Sequence, residues 1–521
     1  MGTTKDTFKH AAIYSFAAIL GKMISFLMLP FYAHILRDIG YGIIGMVDIS
    51  LSFLMSLLSY GLQGGIVRFY HDEPDENKAR VVSTGTLLIG GATFSLVLIV
   101  MLFSKPLSTF LLGDSEHYLL LCLALGGFAF DLTGQGAASI LIIKRRSLLF
   151  SLLGLIRLFV GLSLNIYLII ILKLGLWGYF VSSLVMGIVT GTIFVVISIR
   201  ECGLVFDRRL ARELIRFQLP LVPGSLTSFV SRQVERVVVR FQINLETVGV
   251  LEMGYKFPVL LSLLISSPFM QSWNTKRTEI ADQPGAPEWI GRMYTYYLFL
   301  MLFAGLIMAV NIRGVLQLLT PPEFWPAYRV SLIEIVTMIL EGSYFHFVFG
   351  LYYAKATKSM ALVRAVTSVF KIGLAYLFIS LWGLYGAAFS ACATNAILLA
   401  WGGAKARAKY AFLIEYKKIL TMICSAVAIF ILLDRTDLSS FGLTVFLRDN
   451  VFPGLIDLLA DGPLGSWKEG KVILILGEKS ALMSLLTVKT LASFSFVIFF
   501  PVVHEETWRK LQARVRALFA R

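Results

Sequence analysis

"GTLLIGGATFSLVLIVMLF" (85–103) contains no charged side chain and nothing that breaks a helix for good. A bilayer core of ~30 Å is crossed by about 20 apolar residues in a helix, so this stretch spans on its own. "GLSLNIYLIIIL" (161–172) closes a second such run, and similar runs recur along the whole chain. Strict alternation of apolar and polar residues, the mark of a membrane barrel, is absent. These runs predict an all-α polytopic membrane protein.

Composition agrees. The chain has 521 residues, 57% of them hydrophobic and 15% charged, with a mean hydropathy of +0.78. A soluble domain carries about 25% charged residues. The net charge of +15 does not point to nucleic acid, because the basic residues cluster in short loops between apolar runs and so record orientation. Cys122, Cys202, Cys392 and Cys424 are scattered, with neither a disulfide framework nor metal-ligand spacing. No Gly-rich phosphate loop ending in Gly-Lys-Ser/Thr occurs, which argues against ATP hydrolysis. No cofactor is expected. The N-terminal "AAIYSFAAILGKMISFLMLPFYAHIL" lacks a small-residue cleavage site and reads as a retained first span.

Fourteen spans are expected near 11–35, 42–66, 81–103, 117–142, 149–172, 176–199, 217–243, 247–272, 293–316, 328–353, 361–380, 383–403, 418–433 and 481–503. One set of loops carries "KRR" (144–146), "DRRLARELIR" (207–216), "TKRTEIADQPGAPEWIGR" (275–292), "KARAKY" (405–410) and the tail "WRKLQARVRALFAR". The other set is poor in Lys and Arg, with Arg37, Lys105 and Lys173 each alone. Both termini are therefore expected in the cytoplasm. The long loop 434–480 falls outside, and long loops translocate largely regardless of charge.

The chain also repeats itself at an offset of about 209 residues. "LRDIGYG" (36–42) corresponds to "LETVGVL" (245–251), "GLWGYFVSS" (175–183) to "GLYGAAFSA" (383–391), and "FK" (8–9) to "FQ" (217–218). Six spans separate equivalent positions, so the halves share one orientation and are related by an axis along the membrane normal, with a substrate site expected near midplane. The expected organisation is two pseudo-symmetric six-helix lobes, 1–203 and 204–410, and an appended helix pair with its loop and tail, 411–521.

Charges inside the spans are the candidate site. Lys22 sits about 12 residues into the first span, ~18 Å at 1.5 Å per residue, and the offset carries it to Ser231, beside Arg232. Arg157 and Lys371, on spans 5 and 11, are also near mid-depth and match within roughly a turn. In "FVSRQVERVVVRFQI" (229–243), Arg232, Arg236 and Arg240 form one helical stripe with Glu235 a turn from Arg232. A lone cation at the bilayer centre costs about 2.5–3.5 kcal/mol, so Lys22, Arg157, Arg232 and Lys371, with Arg236, are expected to face a wet interior and bind an anion. Phosphate or pyrophosphate suits the planar guanidinium fork. Arg240 and Arg68, near helix ends, fit snorkelling. The acidic residues Asp48, Asp131, Glu235, Glu252, Glu334 and Glu341 could partner the cations or carry a coupling proton. Arg232 or Arg236 with Glu235, and Lys256 with Glu252, could instead be local ion pairs, and His346 fits a structural role.

"LGKMISFLMLPFYAHIL" (20–36), "DIGYG" (38–42) and "SLLSYGLQGGIVRFYHD" (56–72) resemble the opening helices of Wzx-type polysaccharide biosynthesis flippases, members of the multidrug/oligosaccharidyl-lipid/polysaccharide exporter superfamily. The likeness continues through the Gly-Leu-Trp-Gly and Gly-Leu-Tyr-Gly starts, covering about 8–405. It implies two six-helix lobes around a central cavity that opens to each side in turn. The implied cargo is a polyprenyl-pyrophosphate-linked oligosaccharide, moved from the inner to the outer leaflet of the cytoplasmic membrane. The family's cationic lumen residues on the first helix of each lobe match Lys22 and Arg232; Arg157 and Lys371 rest on depth alone. A polysaccharide polymerase and glycosyltransferases are candidate partners besides the bilayer. The loop 434–480 departs from the family pattern. Three other readings stay open: a drug or organic-cation antiporter, which predicts an acidic centre; a membrane polymerase or acyltransferase; and a flippase for a peptidoglycan precursor, which differs only in headgroup.

Overall fold

The computed structural model describes residues 28–58, 62–435 and 480–499. Among them regular structure is helical throughout, with no strand. Eleven helices are long and apolar enough to cross a membrane, among them Asp75–Leu102, Gly175–Cys202 and Thr357–Trp382. The other expected spans have identifiable reasons for falling outside that set. The first lies mostly in 1–27, outside the described residues, as do most of the loop 434–480 and the tail after 499. The helix Val222–Gln242 carries Arg232, Glu235, Arg236 and Arg240 and is too polar. Ser480–Ser493 is too short.

Leu29–Leu58 runs as helix on both sides of Arg37, whose φ of 59° and ψ of −173° set the kink. By packing, the chain divides into two compact units at the Gly249–Val250 bond, beyond the repeat boundary at 203/204. The reason is visible at Val222–Gln242, which packs on the helix Leu29–Leu58. Ser225 Oγ donates to Ser56 O at 2.6 Å, and the rings of Phe53 and Phe229 meet edge to face at 5.4 Å.

In the first unit, helices Tyr118–Ala137 and Gly175–Cys202 approach along glycines. A Cβ on Gly187 would lie 2.3 Å from Gly127 O, and one on Gly191 2.3 Å from Phe130 O. Such small residues let helices pack closely where lipid supplies no hydrophobic drive. The turns "LRDIGYG" and "LETVGVL" also meet main chain to main chain, since a Cβ on Gly42 would sit 2.1 Å from Leu245 O and one on Gly249 2.0 Å from Asp38 O.

In the second unit an aromatic core forms around Trp273, Tyr294, Tyr297, Phe299 and Phe349. The appended helices dock on Ala286–Leu319: Asn311 Nδ2 donates to Thr490 Oγ1 at 3.0 Å, and Phe299 stacks on Phe496 at 5.2 Å.

The duplication is written in the backbone. Helix Tyr118–Ala137 breaks at Ala138 (φ −64°, ψ −15°), and Ala327–Phe347 breaks at Val348 (φ −59°, ψ −13°). Seven residues further on, Arg145 and Lys355 both adopt left-handed φ, 53° and 52°. Arg146 N then bonds Leu141 O, and Ala356 N bonds Leu351 O, each at 2.9 Å. Gly175 and Gly383, opening the repeated Gly-Leu-aromatic-Gly motifs, share a φ of 55°.

Candidate functional site

In the first unit, Arg157 projects from Ser147–Asn165 with its side chain 42% exposed, and its Nη1 lies 2.6 Å from Asp131 Oδ1. The second Asp131 oxygen accepts from Gln135 Nε2 at 3.1 Å. Arg157 also walls a small apolar crevice with Leu153, Val160, Met186 and Phe194. Arg157 is one of the candidate cations read from the sequence, and its partner is one of the acidic candidates. Asp131 is on a neighbouring helix, 26 positions away, and no local spacing connects the two. The pair is neutral as a whole, which removes most of the cost of a bare charge at this depth.

The stripe on Val222–Gln242 divides. Arg232 is exposed and has no ion-pair partner among the described residues. Arg236 is half-buried and donates from Nη1 to Arg232 O at 2.6 Å. Glu235 is buried, 1% exposed, because it lies on the face turned to the protein while Arg232 faces away. Arg240 is a structural cap: its Nε donates to Leu111 O at 2.7 Å, at the end of Ser104–Leu112, where a cation offsets the carbonyl end of the helix dipole. Arg68 lies at the surface, 3.6 Å from Asp72.

Lys22 lies outside the described residues. Asp48 is exposed on Leu29–Leu58. In the second unit, Lys371 is 6% exposed, midway along Thr357–Trp382. Glu252 and Lys256 are half-buried one turn apart on Leu245–Lys256. Glu334 is buried on Ala327–Phe347, whereas Glu341 is half-buried. His346 is a packing residue, with Nε2 3.2 Å from Ile290 O and its ring 5.0 Å from Tyr294.

Sequence reasoning missed Arg277, which it placed in a basic loop. It is buried in Ser267–Ile280, donates to Phe345 O at 3.4 Å and His346 O at 3.1 Å, and lies over the Phe349 ring at 4.6 Å. The available signal was spacing: Trp273 and Arg277 are four apart, on one helical face. Among the described residues no group of three His, Cys, Asp or Glu side chains could hold a metal, and the four cysteines are free thiols.

Eleven long apolar helices, small-residue packing and charges held inside apolar segments define an all-α multi-pass membrane protein. The chain belongs to the polysaccharide biosynthesis protein family, whose model matches residues 8–273. The comparison with curated protein sequences gives no match. Among solved structures, the fold is similar to the lipid II flippase MurJ in an inward closed conformation (TM-score 0.69, 14% identity, covering 96% of this chain and 99% of that one). It is also similar to a multidrug resistance MATE family transporter of the MOP superfamily. The inward-facing form gives a TM-score of 0.58 at 14% identity over 74% of this chain and 95% of that one. The outward-facing form gives 0.53 at 14% identity over 77% and 96%. At 14% identity these likenesses are likenesses of fold, to one flippase and one transporter.

Proposed function

We propose that this chain flips a polyprenyl-pyrophosphate-linked oligosaccharide from the inner to the outer leaflet of the cytoplasmic membrane, for cell-surface polysaccharide synthesis. The observation that carries the reading is the family match over 8–273. Movement is by alternating access through a cavity lined by cations. Arg232, exposed within an apolar chain, takes the pyrophosphate first, with Arg236 beside it and Lys22 on the preceding repeat. Arg157 exchanges Asp131 for a phosphate oxygen as the cargo passes, so its charge is released only while an anion is present. Lys371 supplies the equivalent charge in the second repeat, and Glu252, Lys256, Asp48 and Glu235 balance the site between cycles. The isoprenoid chain stays in lipid throughout.

Each negative charge moving outward gains about 2.3 kcal/mol per 100 mV of inside-negative potential, so a dianionic headgroup is driven by voltage. No bond is made or broken, and the protein acts as a carrier rather than an enzyme. Glycosyltransferases supply its cargo and a polymerase consumes it.

The likeness to a lipid II flippase favours a second reading, a lipid-linked peptidoglycan precursor. Heat-stability shifts of the purified protein separate the readings, because a ligand that binds only the folded state raises apparent stability. A shift with polyprenyl-pyrophosphate oligosaccharide, absent in Arg232→Ala, supports the glycan flippase. A shift with lipid II alone moves the cargo to the second reading. A shift with organic cations alone overturns both in favour of a drug antiporter.

A further inference from the structure

The segment after Gly175–Cys202 was expected to be a basic loop. It is instead a short extended stretch followed by the helix Arg208–Gln218. Its depth is fixed by two bonds: Val205 N donates to Ser83 Oγ at 2.8 Å, and Asp207 N to Thr84 Oγ1 at 3.0 Å. Ser83 and Thr84 lie near the start of the span 81–103, within a turn of the charged opening "DENKAR" (75–80) of Asp75–Leu102. The helix therefore starts at the boundary between water and hydrocarbon. Asp207 caps it, accepting from Arg209 N at 2.7 Å and Leu210 N at 3.2 Å.

One face is committed to the protein. Leu210, Ala211, Leu214 and Gln218 are buried, and Gln218 Nε2 donates to Leu58 O at 2.7 Å. Arg209 reaches Glu73 at 2.8 Å. The opposite arc is different. Arg208, Arg212 and Arg216 follow one another every fourth residue, all exposed and with no ion-pair partner among the described residues. On the same arc, and just before it, lie exposed apolar side chains: Leu204 (65%), Phe206 (52%), Ile215 and Leu219 (67%). A helix facing water would not mix large apolar groups with an arginine row. A helix lying in the headgroup layer does, with its apolar groups in the acyl boundary and its arginines at phosphate level.

We propose that the outer arc of Arg208–Gln218 is a docking surface for anionic phospholipid headgroups of the leaflet at which Gly175–Cys202 ends. The arginine row meets lipid phosphates, and Leu204, Phe206, Ile215 and Leu219 anchor it. Charge complementarity at a fixed depth selects this occupant whatever the cargo is.

Hydrogen exchange of the full protein in nanodiscs tests it. Exchange across 204–219 slows when phosphatidylglycerol replaces half of the phosphatidylcholine, by about fivefold per engaged arginine at low salt. Raising the salt to ~0.5 M shrinks the effect, since surface charges are then screened within a few ångströms. The triple variant Arg208→Gln, Arg212→Gln, Arg216→Gln loses the response, whereas the triple Arg→Lys variant keeps it. In phosphatidylcholine alone all three proteins exchange alike, which checks that each is folded. Equal exchange in the two lipids overturns the proposal. So does slowing that appears only when a polyprenyl pyrophosphate is added, because that assigns the row to cargo capture.

Discussion

At the scale of a residue, Arg157 and Asp131 carry the sharpest consequence. Their 2.6 Å contact balances the charge of a cation midway along an apolar helix. Asp131→Ala leaves that cation alone and should destabilise the protein by about 2.5–3.5 kcal/mol, read as a loss of apparent Tm in detergent. The double variant Asp131→Ala/Arg157→Leu should recover most of the loss while failing in transport. A double variant that stays as unstable as the single one would show that Asp131 acts elsewhere. Glu415 makes a second case, outside the spans. Burial opposes its charge, but hydrogen bonds from Lys418 and Thr295 outweigh that and hold its carboxyl below the usual range. The depressed value means that its stabilisation is complete above the ordinary glutamate value of 4.5, and is lost as pH falls through the lower folded value. Glu415→Gln should flatten that part of the stability profile in an acid titration of Tm. The cations were legible in the sequence because an arginine or lysine in an apolar run is conspicuous. Their partners were not, because contacts such as Arg157–Asp131 depend on which helices become neighbours.

At the scale of an element, hydropathy located the spans well, since each must cover the same thickness of hydrocarbon. It failed where a helix is neither apolar nor crossing. The charges of Arg208–Gln218 suggest a loop, although Leu210, Leu214 and Gln218 repeat at helical spacing. The kink at Arg37 was also hidden, as were the wider helical turns at Ile166–Ile171, Ser262–Ser266 and Leu398–Gly402. Glycine contacts yield the prediction proper to this scale. Gly187→Leu drives a side chain into Gly127 O and should cost about 3 kcal/mol or more, seen as a loss of folded protein by size-exclusion chromatography. Gly154→Ala meets nothing within 4 Å and should be neutral or slightly stabilising, because it gains helix propensity. If both variants behave alike, close packing of Tyr118–Ala137 on Gly175–Cys202 is not what holds the first unit.

At the scale of the whole molecule, the repeat was readable from a few short matches at one offset, and the backbone carries it further than the side chains do. "KRRS" (144–147) and "AKAT" (354–357) share one lysine or arginine and little else. Even so, the peptide path through Arg145 and Lys355 is the same to within a degree in φ. A left-handed residue is costly for any side chain but glycine, so neither turn follows from local preference; the helices on either side impose it. The two turns thus share a backbone path but not their side-chain ties: Lys144 and Arg146 reach Glu201 in one, and Tyr353 reaches Asp282 in the other. Residues 352–358 grafted in place of 142–148 should give a protein that inserts and folds with its Tm within about 1–2 °C per ~0.5 kcal/mol of surface change. Exchanging segments of equal length from elsewhere in the same helices should not. In that sense the chain holds two copies of one joint, and an engineer could exchange them at the cost of the surface pairs from Lys144 and Arg146 to Glu201.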